Sequence, residues 1–481
     1  MRSASQQRMA QLVTLVASLA TAAQVAAAPS RAEMDLAIRD LAGDHDHATA
    51  ALYTLRAGGA PAALALRDAW PSLSPLARKR AISALSELQQ SHDAAVEALV
   101  AAARADDEEL RALGLAALRR SSPRGHQGLV ALLADPEVGD RAASALARAD
   151  ADLAIDHLLR ALAGDGGADR AGLREALAVA VARAKAPGPK LYAWLRQQPP
   201  PASAASAALA LSTVDARSNE VASFVAYALV GADDFATAWR LLQSAGVAGP
   251  SVPIDRWVIR QLTEPEPWML RAAAVDALTA RGARQRVRTA LGDPHPRVRA
   301  RAAIALSGDP ESLIDRAALA RRDTWPMVRA AAVESLRTEG DALPVIVASI
   351  DDSMSIVRVA AIEVLTPAPH HEGWDRIHRR LRATNEWPSV TRAAIGYAVA
   401  HCRSDAAESL FRVVMRAASR SALTEDLNNA ALAVEALRTL GTPEADAVIE
   451  RLRAAPEVPP TLKMALERPL KDADRCAGPG S

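Results

Sequence analysis

Histidines supply the clusters in this chain that look most like chemistry. One is His45-Asp46-His47; the other is His370-His371-Glu372, followed by His378. On a helix, His371, Asp375 and His378 would share one face, a spacing that a metal could tolerate. The set matches no defined ligand signature, and the sequence holds no Gly-rich phosphate loop, G-x-S-x-G elbow or H-E-x-x-H. Histidines among surface arginines need no catalytic reading, so no catalytic residue, metal or other cofactor is assigned. Cys402 and Cys476 are the two cysteines, which excludes a disulfide framework and a cysteine zinc cluster. They could pair in an oxidising compartment and tie the C-terminal tail back, or remain thiols.

The second candidate chemistry is cationic. Between Arg271 and Arg301 lie eight arginines (271, 281, 284, 286, 288, 297, 299 and 301) against Asp276 and Asp293. Such clustering on one face could meet phosphates. The stretch lacks interleaved aromatics for base stacking, however, and the whole sequence balances 57 basic against 56 acidic residues. A nucleic-acid partner is not expected.

The elements that position these residues are repeated helices. Segments LRAAAVDAL (270–278), VRARAAIAL (298–306), VRAAAVESL (328–336) and VRVAAIEVL (357–365) share one pattern, and their arginines, Arg271, Arg299, Arg329 and Arg358, are 28, 30 and 29 residues apart. Asp293, Asp323 and Asp352 each lie six residues before an arginine of that series. A fixed period in this range means stacked supersecondary units. Apolar residues recur at i, i+3, i+4 and i+7 in 46–55, 60–70, 75–85, 92–103, 109–118 and 127–135, each a helix with one buried stripe. No β-branched alternating run appears, so the expected fold is all-α: an α-solenoid of stacked antiparallel helix pairs.

The unit D-x-x-x-x-V-R-x-x-A-x-x-x-L resembles HEAT repeats, and its period is similar to that of the short HEAT-like units of phycobilisome lyase-type proteins. The longer HEAT form spans about 40–47 residues. The resemblance implies an Asp–Arg ladder between neighbouring repeats, in which Asp293, Asp323 and Asp352 would face Arg299, Arg329 and Arg358. It also implies that second helices line a concave face. Deoxyhypusine hydroxylase is a HEAT-repeat enzyme whose iron is held by several His-Glu pairs; this sequence has one, His371-Glu372. Bilin lyases share the repeat type, but no motif here ties a bilin to this protein.

With the ladder assigned to stacking, helix geometry picks out the residues free to bind. Counting the arginine as zero, positions −1, +3 and +7 form the buried stripe, as in Val298, Ala302 and Leu306, and +5 points almost opposite. Position +5 is Asp276, Ile304, Glu334 and Glu363, with Glu435 aligned further on. Alanines at +1 and +2, such as Ala330 and Ala331, would leave a smooth face carrying an acidic row. A second candidate is a set of tryptophans on the turns before second helices: Trp70, Trp268, Trp325 and Trp387. Partly exposed tryptophans are where interface energy concentrates. The sequence thus predicts a non-enzymatic HEAT-repeat scaffold that binds a protein or peptide. The alternative is a cofactor- or metal-handling, lyase-like member of the short-repeat group.

At the N-terminus, Arg2 and Arg8 precede an uncharged stretch from Met9 to Ser30, with Val25 and Ala27 placed for processing. That is the layout of a signal peptide. The expected organisation is a leader at 1–27, N-terminal repeats at 28–198, an irregular, Pro-rich bend at 199–263, C-terminal repeats at 264–466 and a disordered tail at 467–481. The expected location is periplasmic or secreted, with a cytoplasmic location as the alternative. No membrane span is expected in the mature protein.

Overall fold

The computed structural model describes residues 28–467, except 121, 165–166, 168–169, 233, 264–266, 337–339, 368–372 and 419–422, together with Cys476. Among the described residues every regular element is a helix, and the fold is an all-α solenoid of stacked antiparallel helix pairs. No described helix is long and apolar enough to cross a membrane. The protein forms two compact units, residues 1–241 with 248–250 and residues 242–247 with 251–481.

In the first unit the apolar periodicity folds as read. Helices span His45–Ala57, Gly59–Ala69, Pro75–Leu88, Asp93–Ala103, Glu108–Leu118 and Pro123–Leu132. Their starts are written in side chains: Asp44, Ser74, Asp107 and Ser122 each accept a hydrogen bond from the backbone N–H three residues on. The His45-Asp46-His47 cluster belongs to such a start. Asp44 caps the helix and accepts from His47 Nδ1 at 2.8 Å, so this histidine is engaged in a cap.

In the second unit the second helices of successive repeats are α1 (Trp268–Ala280), α2 (Pro296–Ala305), α3 (Pro326–Ser335), α4 (Ser355–Leu365), α5 (Pro388–Ala400) and α6 (Thr424–Leu440). Each of α1 to α5 packs on the next of the series. The −1, +3 and +7 stripe is fully inside: Val328, Ala332 and Leu336 are at most 1% exposed, as are Val357, Ala361 and Leu365. Alanines at +1 and +2 are not the smooth outer face expected of them. Ala300, Ala330 and Ala360 are themselves buried where neighbouring second helices pack, while Ala272 and Ala331 are half-buried.

Cys402 and Cys476 form a disulfide, with Cα atoms 5.7 Å apart. The backbone N–H of Cys476 also donates to the Thr439 carbonyl at 2.9 Å. Cys476 is thereby tied to the turn after α5 and to α6, across a sequence separation of 74 residues.

Candidate protein-binding surface

A ladder of ion pairs fixes the line of turns on which the surface residues sit. Arg271 donates through Nε and Nη2 to both oxygens of Asp293, at 2.7 and 2.9 Å. Arg299 does the same to Asp323, at 2.8 and 2.9 Å, and Arg329 to Asp352, at 2.9 and 2.8 Å. Arg358 donates to Glu386 at 2.5 Å. The expected pairing of Asp293, Asp323 and Asp352 with Arg299, Arg329 and Arg358 is therefore corrected by one repeat. Each carboxylate takes the arginine of the preceding repeat. The arginine six residues downstream instead donates to that aspartate's backbone carbonyl: Arg299 to Asp293, Arg329 to Asp323 and Arg358 to Asp352, at 2.8, 2.9 and 2.7 Å. One guanidinium thus clamps two consecutive turns, using the fork geometry that only arginine offers.

These pairs are out of water: Arg299 and Asp323 side chains are 13% and 5% exposed. The Asp293 and Asp352 carboxylate bonds raise the pKa of Arg271 and Arg329 respectively. Burial pushes the Asp352 carboxyl up, but its bonds to Arg329 and to the Met354 N–H outweigh that and leave it below the ordinary range.

The same carboxylates place the next residue. Asp293, Asp323 and Asp352 accept the backbone N–H of His295, Trp325 and Met354, at 2.7, 2.9 and 2.8 Å, and Glu386 accepts that of Trp387 at 2.8 Å. His295, Trp325, Met354 and Trp387 are the N-caps of α2 to α5. Proline, whose missing N–H removes one unsatisfied donor, opens α2, α3 and α5. At α3, α4 and α5 the cap side chain makes no capping hydrogen bond and is free to be large and apolar.

The four expected tryptophans divide here. Trp325 and Trp387 are 53% and 63% exposed. Trp70 is a correction: it is buried, with the Arg78 guanidinium 5.9 Å from its ring and Arg78 Nε donating to its carbonyl. Trp268 is half-buried between the His295 ring, centroids 4.6 Å apart, and the Arg297 guanidinium at 4.9 Å. Sequence reasoning missed three partners of the exposed pair. Met354, at the same cap position, is 45% exposed, and Met327 and Ile356, two residues after their caps, are 37% and 51% exposed. Aligning residues four and two before each ladder arginine would have found them.

The acidic row is shorter than expected. Position +5 does face outward at Asp276, Glu334, Glu363 and Glu435. Asp276 is paired with Arg301 of the next repeat at 2.5 Å, and Glu435 with Arg438 on its own helix at 3.0 Å. Glu334 and Glu363 have no ion-pair partner among the described residues. Partial burial, and then the neighbouring Glu363 charge, raise the pKa of Glu334. Glu363 borders a shallow groove of about 440 Å³, with Val359, Thr366, Ser389, Arg392 and Gly396 among its walls.

The basic cluster is largely spent on carboxylates. Arg281 meets Asp255, Arg284 meets Asp309, and Arg288 meets Glu311 and Asp315, in addition to the pairs of Arg271, Arg299 and Arg301. Among the described residues no group of three or more His, Cys, Asp or Glu side chains is placed to hold a metal ion. His370, His371 and Glu372 lie outside the described residues. His378 stacks on Trp374 and its Nε2 is 2.9 Å from Ser409 Oγ; burial lowers its pKa.

Residues 256–337 match the family model for HEAT repeats. Over that stretch the protein is similar to HEAT repeats. The match covers three of the ladder arginines, Arg271, Arg299 and Arg329, so the HEAT pattern and the clamp described above coincide. No curated protein sequence matches this one. Among solved structures it is similar to Kap121p, with 12% identity and a TM-score of 0.45, over 88% of this protein and 58% of that one. A structure of Kap95p with RanGDP, bearing on nuclear import complex assembly, has 13% identity and a TM-score of 0.44, over 91% and 81%. Importin beta has 14% identity and a TM-score of 0.43, over 90% and 68%. The protein spans less than two thirds of the Kap121p length. Likeness at this level says nothing of partners. The expected periplasmic or secreted location is withdrawn; the matched structures named here lend it no support. The leader on which it rested, 1–27, lies outside the described residues.

Proposed function

We propose that this protein is a non-enzymatic HEAT-repeat scaffold that binds a protein or peptide along the second helices and their leading turns. The observation that supports this most strongly is the row Trp325, Met354 and Trp387. Three consecutive repeats put a large apolar side chain at one register position and leave it in water. Isolated exposed apolar residues are ordinary, but a contiguous run held in line by a buried ladder marks an interaction surface. Glu334 and Glu363, one repeat apart on the open side of α3 and α4, form a second, polar part of the surface.

Repeat steps of 28 to 30 residues further support a place near the short HEAT-like, phycobilisome lyase-type group. The test is affinity purification of the full-length protein, with mass spectrometry of what stays bound. A partner retained by the wild type should be lost by the Trp325→Ala, Trp387→Ala double variant. Glu334→Lys with Glu363→Lys reports separately on the acidic part. Binding that survives all four substitutions contradicts the proposal.

A further inference from the structure

The charges around the tryptophan row narrow the kind of partner; this step rests on the binding role proposed above. Four carboxylates stand at the turns leading into α3, α4 and α5: Asp323, Asp351, Asp352 and Glu386. Every one is already held by arginine. Asp323 has Arg299, Asp352 has Arg329, and Glu386 has Arg358 and Arg380. Asp351 is met by Arg376 and Arg379 as well as Arg380. Arg321 and Arg322 end the helix Leu313–Arg322 just before the Trp325 turn, and Arg382 ends Trp374–Arg382 just before the Trp387 turn. These three are exposed, and no carboxylate among the described residues pairs with them. The edge therefore carries more guanidinium than carboxylate, and its spare positive charge flanks exposed tryptophan and methionine.

Spacing adds a second constraint. Packed helices stand about 8–10 Å apart, so cap residues of successive repeats recur at roughly that step. An extended peptide advances about 3.3–3.6 Å per residue, so every third side chain recurs at about 10 Å. We propose that the Trp325–Met354–Trp387 edge binds an extended acidic peptide carrying a bulky apolar side chain at every third position. Its apolar side chains would pack on the row, and its carboxylates would meet Arg321, Arg322 and Arg382. A planar anionic membrane shares the charge but not the linear, one-anchor-per-repeat spacing.

The test uses the full-length protein and two synthetic peptides with Leu or Phe at every third position, one with Asp and Glu between, the other with Lys. Binding is followed by calorimetry at low and at physiological salt. The acidic peptide should bind, weaken with salt, and lose at least about tenfold in affinity with Arg321→Glu plus Arg322→Glu and with Trp325→Ala plus Trp387→Ala. Circular dichroism of each variant checks that the helices persist. Equal or tighter binding of the Lys peptide, still lost on the Trp variant, overturns the acidic chemistry but leaves the binding row standing. Binding of neither peptide, or binding that the Trp variant leaves unchanged, overturns the proposal. Capture by anionic phosphatidylserine vesicles without capture of the acidic peptide also overturns it.

Discussion

Replacing Asp323 by alanine should cost the second unit about 3–5 kcal/mol, the usual loss when one partner of a buried ion pair is removed. Arg299 is 13% exposed and would keep its charge with both carboxylate bonds gone. The Trp325 N–H would lose its acceptor too, a contribution of about 1 kcal/mol. Asp276→Ala is the control: that pair with Arg301 is half exposed, and its loss should cost under about 1 kcal/mol. The register itself is tested by double-mutant cycles. Asp323 should couple to Arg299 by about 1–3 kcal/mol, and to Arg329 by under about 0.5 kcal/mol. The second value is small because Arg329 bonds to the Asp323 backbone carbonyl, which the substitution leaves in place. Unfolding of repeat arrays need not be two-state, so the quantity to measure is the opening free energy of amides in α2 and α3 by hydrogen exchange. Coupling of Asp323 to Arg329 that exceeds its coupling to Arg299 would refute the clamp.

Other predictions follow from single groups. Because the folded pKa of Asp352 is depressed, its contribution to stability is present above the ordinary carboxylate pKa and lost as pH falls through the lower folded value; Asp352→Asn should flatten that part of an acid-unfolding curve. Glu334 is the opposite case: its raised pKa means that its charge opposes folding at neutral pH. Glu334→Gln should therefore stabilise at pH 7 and make no difference below the ordinary carboxylate pKa, as read by thermal unfolding at the two pH values. Replacing Cys402 and Cys476 by serine opens a closed loop of 74-residue separation and removes up to about 4 kcal/mol of loop-closure stabilisation. Hydrogen exchange should then rise in the helices from Ala407 onward while α2 to α4 stay as protected as before.

The repeat was legible because periodicity is a property of the sequence alone. The −1, +3, +7 stripe, the outward +5 position and the absence of strands among the described residues all follow from helix geometry. Ladder register was not legible, since an aspartate six residues before one arginine is equally well placed for the arginine of the repeat before it. Only the stacking decides, and it gives the carboxylate to the earlier arginine and the carbonyl to the later one. Glu386 shows the same limit: it stands in for aspartate one position nearer its helix, with an extra methylene for the reach to Arg358. Tryptophan was a partial signal. Trp70 and Trp325 share a Trp-Pro turn, but one is buried and the other half in water. Searching for aromatics overlooked Met354, which occupies the same cap position as Trp325. Asp276 and Glu435 looked as free as Glu334, because their arginine partners are set by the stack and by a rotamer.

Labelling the eight tryptophans with 5-fluorotryptophan and titrating the full-length protein with the acidic, Leu- or Phe-spaced peptide tests the binding edge most directly. The ¹⁹F resonances of Trp325 and Trp387, each assigned by its Phe variant, should shift together with one affinity. Those of buried Trp70, Trp257 and Trp374 should stay in place. Shifts confined to the buried tryptophans, or none at any peptide concentration up to the millimolar range, would contradict it.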